Sequence, residues 1–251
     1  MRPVVNPAPL PPHPTLDRYY ASDAERRAFV SDMFDEGAPY YEWVCHVMSL
    51  GTGAEYRKRA LCAAGLEKGM RVLDVATGTG LVLRSATELS GARSLAIGLD
   101  PSSGMLLECR RRGAAPLVQG RGEDLPFVSE HFDLVSMGYG LRHVADLHAL
   151  FGEYRRVLRP GGRVLLLEIT QPASAIGRRL NALILGTIIP GVARLWRGPA
   201  AARMMSYFWD TVENCVAPEV IISALRDAGF PGAMRTVTGG ILSEYHGIRP
   251  R

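Results

Sequence analysis

The first chemical signal in the chain is the string Asp74-Val75-Ala76-Thr77-Gly78-Thr79-Gly80, joined by one acid further along, Asp100. An apolar run ends in this string and a helical stretch follows it. The glycines therefore fall at a strand-to-helix turn, where backbone without Cβ can turn tightly and let a ligand approach a helix N-terminus. Asp100 closes the next apolar run, 20 residues after Gly80, where a carboxylate can accept the hydroxyl protons of a ribose. From Val72 to Asp100 the chain thus reads as a nucleoside-binding strand, glycine turn, helix and acidic strand end. A dinucleotide fingerprint would need Gly or Ala at position 83, and Leu83 stands there; bound pyrophosphate, and with it a nicotinamide-dependent oxidoreductase, is disfavoured.

The elements that must hold these residues follow from the spacing of apolar residues. From Met70 onward, short runs (Arg71 to Val75, Ser94 to Leu99, Asp133 to Met137, Arg163 to Ile169) alternate with helical stretches, the pattern of parallel strands buried on both faces. A helix ends over Ala224 to Phe230, and the runs Arg235 to Val237 and Ile241 to Tyr245, joined across Gly239-Gly240, predict an antiparallel pair. The expected fold is α/β, a doubly wound, Rossmann-like sheet of seven mostly parallel strands with an antiparallel final strand. The organisation expected around it is a flexible Pro-rich leader (1–20), a helical cap (21–65), the nucleoside-binding core (66–172), a helical lid (173–212), and a C-terminal helix with a strand pair (213–251). The cap's apolar set includes Phe29, Met33, Tyr40, Trp43 and Leu50, and breaks are expected at Gly37 to Pro39 and at Gly51 to Gly53.

Composition sets the outer limits. With 47% hydrophobic and 22% charged residues the chain is ordinary globular material. Its charge of +4 and clusters such as Arg110-Arg111-Arg112 read as solvated surface, and no string typical of nucleic-acid modules is present. The four cysteines form no C-x-x-C pair, which suggests neither a metal site nor a disulfide framework and fits a reducing cytoplasm. The N-terminus lacks the apolar segment of a signal peptide. The longest apolar stretch, Leu180 to Leu195, is interrupted by Asn181, Gly186, Pro190, Gly191 and Arg194, too broken to span a bilayer.

These residues resemble the class I S-adenosylmethionine-dependent methyltransferases, and the likeness extends through Gly120 to Phe127, Phe132 to Gly138 and Leu158-Arg159-Pro160-Gly161-Gly162. The resemblance implies S-adenosylmethionine as cofactor and no metal. Gly78 and Gly80 would pass close to the methionine moiety, Asp100 would hold the ribose, and Met105 and Leu125 would flank the adenine. Asp74, Thr77, Pro101, Gly122, Glu123, Asp124 and Tyr139 complete the implied cofactor set. One position departs from the pattern: relatives carry an acid where this chain has Arg121, which cannot accept a hydrogen bond. Glu123, Asp124 or a backbone carbonyl must substitute, or the adenine is held by packing and backbone N–H groups alone.

Over nearly its whole length after residue 30 the chain is more specifically similar to the UbiE-type quinone-biosynthesis C-methyltransferases. The matching pieces are Met33-Phe34-Asp35, Met48-Ser49-Leu50-Gly51, Tyr139-Gly140-Leu141-Arg142, Leu167-Glu168 and Thr238-Gly239-Gly240-Ile241. Methylation of an aromatic carbon needs that carbon aligned with the sulfonium methyl, and loss of a ring hydroxyl proton raises its nucleophilicity. A site can help by placing a cation or a base beside the oxygen, and the resemblance links this task to Arg142. His143 replaces the family's Asn, and a neutral imidazole beside Arg142 is the candidate general base. Tyr40, with Tyr41 and His46, sits in the cap where relatives place acceptor-facing residues. Tyr245 falls where the family tends to have His; it and His246 would face opposite sides of a strand.

The expected partner is a small lipophilic aromatic acceptor, with no nucleic acid. The lid residues Ile184, Leu185, Ile188, Ile189, Val192, Leu195 and Trp196 would cover either a prenyl tail or a smaller lipophilic ring. The arginines around them leave open contact with the inner face of a membrane, and a homodimer is a further alternative. Two other readings stand beside quinol C-methylation: a methyltransferase of specialised metabolism acting on a small phenol or amine, and a noncatalytic or cyclase protein on the same fold.

Overall fold

The computed structural model describes residues 8–251 apart from positions 50, 92–93 and 114–115. Leu50 and residues 1–7 of the leader lie outside this set. In chain order the elements are α1 (Asp23–Met48), α2 (Gly53–Ala63), β1 (Val72–Val75), α3 (Leu81–Ser90), β2 (Ala96–Asp100), α4 (Ser103–Arg111), β3 (Leu117–Gln119), β4 (Phe132–Gly138), α5 (Leu147–Val157), β5 (Leu158–Ile169), α6 (Ala175–Leu183), α7 (Ile189–Arg197), α8 (Pro199–Glu213), α9 (Pro218–Asp227), β6 (Met234–Thr238) and β7 (Leu242–Ile248).

The strands form a seven-stranded sheet in the order β3-β2-β1-β4-β5-β7-β6. β1 to β5 pair in parallel and β7 runs antiparallel to both its neighbours, as the sequence predicts. All four residues of β1 are buried because helices cover both faces. Leu73, Val75 and Val135 pack with α5 and α9 residues such as Phe151 and Leu225, while Val72, Leu134 and Leu165 pack with α2 and α3 residues such as Leu61 and Leu83. Alternate residues of one strand thus feed two cores, which is why the strands read as unbroken apolar runs. The chain crosses from β3 over to β4, beside β1, so the sheet's topological switch lies between β1 and β4, where ligands bind in open α/β sheets.

Three expectations need correction. First, α1 is unbroken from Asp23 to Met48 and carries Pro39 inside it. Gly37 is there for close packing, since a Cβ on it would lie 2.6 Å from Met204 Sδ. Second, the Pro-rich segment 8–20 is docked. Leu10 N–H donates to Asp146 Oδ1 (3.0 Å), Leu147 N–H donates to the Leu10 carbonyl (3.0 Å) and Val216 N–H to the Pro12 carbonyl (2.8 Å). His13 and Tyr20 are buried; prolines lack donors but keep acceptors, and neighbouring loops use them. Third, β5 begins at Leu158 rather than Arg163, so the Arg-Pro-Gly-Gly string is its irregular first part. The cap and lid share a separate core in which Tyr20, Met33 and Val44 meet Ala193, Met204 and Tyr207. No described helix is long and apolar enough to cross a membrane.

Candidate active site

At the end of β1 the backbone turns through Ala76 (φ 52°), Gly78 (φ 57°) and Gly80 (φ 87°). Asp74 braces this turn from below. Thr77 Oγ1 donates to Asp74 Oδ2 and the Ser136 hydroxyl to Oδ1, both at 2.7 Å. Burial pushes the Asp74 carboxyl up to about 6, against the lowering effect of the two hydroxyls. Asp74 therefore holds the turn rather than facing a ligand.

Asp100 is placed by the end of β2. Gly78 N–H donates to its Oδ2 (2.8 Å) and Ser102 N–H to its Oδ1 (2.9 Å). Burial pushes this carboxyl also up to about 6, opposed by those two N–H groups. One donor on each oxygen leaves lone pairs for two hydroxyls, the requirement of a ribose. Beside it Asp35, from the cap, accepts from the Ser102 hydroxyl (2.5 Å) and from Gly104 N–H (2.8 Å). A Cβ on Gly104 would lie 2.8 Å from the Asp35 Cα, so only glycine lets the cap come this close. Sequence reading missed Asp35, although it stands in the quoted Met-Phe-Asp string.

A cavity opens above this edge. Val75, Ala76, Pro101, Gly122, Glu123 and Met137 line it from the core, and Arg26, Arg27 and Val30 from α1. Arg26 is buried and donates to the carbonyls of Arg142 (3.2 Å) and Val144 (2.9 Å), which ties α1 to the short turn Leu141–His143 after β4. Arg121 lines the cavity rim and lies 3.7 Å from Glu123, whose Oε1 accepts from Ala145 N–H at 2.7 Å. Met105 is buried, with its sulfur 4.0 Å from where a Gly78 Cβ would stand.

Two expected adenine neighbours are elsewhere. Leu125 belongs to the core, its N–H bonded to Glu153, and Asp124 is exposed. The remaining residues fit S-adenosylmethionine: Asp100 keeps spare acceptors, the glycine turn is open, and the Thr79 hydroxyl is buried in it with no partner among the described residues. Among the described residues no cluster could hold a metal ion.

A second cavity of about 270 Å³ lies between cap and lid. Its wall is largely apolar, with Val44 and Met48 from α1, Leu185 and Ile189 from the lid helix, and Phe208 and Trp209 from α8. Its polar members include Tyr41, Cys45, Ser49, Thr52, Tyr56, Arg57, Tyr139 and Arg142. Burial pushes the Cys45 thiol up to about 11 and the Tyr41 and Tyr139 phenols well above their ordinary value; all stay protonated near neutrality. Tyr139 is left-handed (φ 63°), as is Ala76 on the adjacent strand end. Such strain costs about 1–3 kcal/mol per residue and gathers where function fixes the backbone.

Arg142 lines this cavity, as predicted, but its charge is already matched. Its Nε donates to Glu168 Oε2 (2.8 Å) and its Nη1 to Thr211 Oγ1 (2.6 Å) and the Phe208 carbonyl (3.3 Å). Burial opposes its charge, and the Glu168 carboxylate outweighs that and holds the guanidinium above its ordinary value. His143 does not line the acceptor cavity. It faces the cofactor cavity, with its ring stacked on Tyr207 (5.6 Å) and edge-on to Phe34 (5.0 Å). Both of its nitrogens are buried without a partner among the described residues. Burial, then the charge of Arg142, keeps it far below the ordinary histidine value and so neutral. It has the protonation state of a base in the wrong cavity. Tyr40 lines neither cavity; its neighbour Tyr41 lines the acceptor cavity instead. Of the two C-terminal candidates, Tyr245 is buried in the core and His246 is on the opposite face.

The profile of the ubiE/COQ5 methyltransferase family matches residues 21–249. The demethylmenaquinone methyltransferase of Clavibacter sepedonicus is 32% identical over 226 residues, covering 88% of this chain and 90% of the relative. The ubiquinone/menaquinone biosynthesis C-methyltransferase UbiE of Shewanella piezotolerans is 30% identical, covering 95% and 98%. Among solved structures, the phosphoethanolamine N-methyltransferase 2 of Haemonchus contortus, in complex with S-adenosylmethionine, superposes with a TM-score of 0.63 at 16% identity, covering 92% of this chain and 61% of that one. A possible histamine N-methyltransferase of Thermotoga maritima gives 0.61 at 18%, covering 87% and 99%. At such identities these two likenesses concern the fold alone.

Proposed function

The chain belongs to the ubiE/COQ5 methyltransferase family and is an S-adenosylmethionine-dependent methyltransferase, and from that premise we propose that its acceptor is a ring carbon of a lipophilic quinol. The observation that carries this reading is the apolar cavity between cap and lid, with arginine among its few polar members. When bound, S-adenosylmethionine supplies an electrophilic methyl group. The chain supplies the alignment: Asp100 and the Gly78 turn fix the nucleoside, and Ala76 and Tyr139 hold the two strand ends between the cavities. Lid and cap keep water from the reacting atoms. A cation beside the ring hydroxyl favours its ionised form, which activates the ring carbon.

The test is mass spectrometry of the purified protein incubated with S-adenosylmethionine carrying a labelled methyl, together with demethylated prenyl quinols, simple phenols and lipophilic amines. Label on carbon of a prenylated quinol is the expected product. Label only on a small phenol or amine would place the enzyme in specialised metabolism, and a cyclised product without added mass would overturn methyl transfer.

The same reading includes contact with a membrane surface. From α6 through the turn Ile184–Ile188 to α7 the side chains of Ile176, Leu180, Ile188, Leu195 and Trp196 are exposed, and no acidic residue occurs between Glu168 and Asp210, whereas Arg178, Arg179, Arg194, Arg197 and Arg203 do. A basic, amphipathic surface of this kind suits anionic lipid headgroups, and Leu185 and Ile189 of the same lid line the acceptor cavity. Co-sedimentation with anionic but not neutral vesicles is the expected result; concentration-dependent dimers in light scattering without vesicle binding would assign the surface to a second copy.

A further inference from the structure

The acceptor cavity holds two arginines in different electrostatic states. Arg142 is paired with Glu168. Arg57, on α2, is only 8% exposed, yet among the described residues no carboxylate pairs with it and no hydrogen bond is made to it, and its Nε is buried without a partner. A desolvated guanidinium without a counter-charge is costly, and such a group persists where a ligand supplies the missing acceptor. Its charge reaches across the cavity, lowering the pKa of Cys45 on α1 and of Tyr139 after β4, although burial outweighs it at both.

Resting on the proposed quinol reading, we propose that Arg57 is the cation that receives the ionised ring oxygen of the acceptor. A phenol entering this apolar cavity would be driven toward its neutral form by desolvation, and an unpaired guanidinium reverses that preference. The planar fork offers two N–H donors to one oxygen. The O–H proton leaves to water, and the oxygen's electron density passes to the ring carbon. That carbon forms a bond to the methyl as the C–S bond breaks with its electron pair staying on sulfur. The ring C–H proton then leaves to water, which restores aromaticity. Arg142, held by Glu168, Thr211 and the Phe208 carbonyl, positions the wall after β4. The other titratable or charged groups that line the cavity with Arg57 are Tyr41 and Cys45 from α1, Tyr56 from α2, and Tyr139 and Arg142 after β4; the charges of Glu168 and Glu244 act on Tyr139 and that of Glu42 on Cys45, and the lid residues lining the cavity carry no charge.

The test compares the full chain with Arg57→Met and Arg57→Lys, using 4-nitrophenol as a coloured probe of ionisation and labelled methyl transfer to a prenyl quinol as the activity. Wild type is expected to bind nitrophenolate and lower the probe's apparent pKa. Arg57→Met should lose that preference, with phenolate affinity and kcat/KM down about 30- to 100-fold, and the rising limb of its pH profile moved up by about one unit. Thermal stabilisation by S-adenosylmethionine should be unchanged. Arg57→Lys, which keeps the charge, should keep the phenolate preference, and it carries the test alone if the Met variant does not fold; its loss of the preference would overturn the proposal. A folded Met variant with wild-type phenolate binding and pH profile would overturn Arg57 and leave the quinol reading standing. Nitrophenolate binding that depends on Arg57, in a wild type that methylates no quinol, would overturn the quinol reading and leave Arg57 as an oxyanion site.

Discussion

The cofactor edge and the acceptor cavity meet at the ends of β1 and β4, but they are built on opposite rules. Along the cofactor edge each carboxylate oxygen of Asp74 and Asp100 already has an N–H or O–H donor. Across the acceptor cavity the walls are apolar, one arginine is unpaired, and the lid turns isoleucine, leucine and tryptophan outward. Carboxylates braced on both oxygens fix one geometry and suit a ligand that never changes. An apolar wall with one unpaired charge suits acceptors that share one oxygen but differ in bulk.

The largest break in this contrast is Glu168→Ala. It turns Arg142 into a second buried, uncompensated cation, and a loss of about 3–5 kcal/mol is expected in urea denaturation. Next, Asp100→Ala should weaken S-adenosylmethionine binding by about 100-fold in titration calorimetry, the loss expected for two charge-assisted hydrogen bonds in a buried site, and leave nitrophenolate binding intact; equal losses of both ligands would erase the distinction between the two regions.

The raised carboxyls give a pH test. Asp74 and Asp100 sit at about 6 when folded, against an ordinary 3.8. Each binds its proton more tightly in the folded chain, so the stability each contributes is complete below about 3.8 and is lost as pH rises through about 6. Ribose hydroxyls favour ionised Asp100, so cofactor affinity should run the other way, falling roughly tenfold per pH unit below about 6. Affinity that is flat from pH 5 to 7 would contradict the assignment.

His143→Phe should be milder. It keeps a ring against Tyr207 and Phe34 and removes two unpartnered nitrogens, so stability should change by less than about 1.5 kcal/mol with the pH profile of turnover unmoved. A lost rising limb would restore His143 as the base. An effect of comparable size is expected from Asp35→Ala, about 0.5–2 kcal/mol from the lost contacts at the start of α4, seen as a lower melting temperature with unchanged acceptor binding.

What was legible in the sequence follows the same division. Buried parallel strands are apolar on both faces, so β1, β2, β4 and β5 announced themselves, and Asp100 was placed by its distance from the glycine turn. β3, two half-exposed residues and an exposed one, left no run to read. Gly37 and Pro39 looked like a break because composition does not show that Met204 needs the room of a glycine. Tyr40 and Tyr41 differ by about 100° around one helix, a phase that only the packing of α1 fixes. Arg57 was invisible for a deeper reason: lacking a partner is a property of the surroundings, and no pattern of residue types records it.

Between α6 and α7 the lid helix makes one wide turn, Ile184–Ile188, around Gly186, where a Cβ would lie 2.9 Å from Trp209 Nε1. Such a turn holds one residue more than an α-helical one, so it acts as a phase shifter. Removing a single residue from that turn would relax it to an α-helical one and leave what lies downstream in place, whereas removing one from the regular turns of α6 or α7 would rotate everything beyond it by about 100°, carrying Ile189 or the outward stripe out of line. In this lineage, then, the wide turn is the one place where the lid can absorb a change of length; elsewhere along it many apolar exchanges are tolerable, and a one-residue deletion is not.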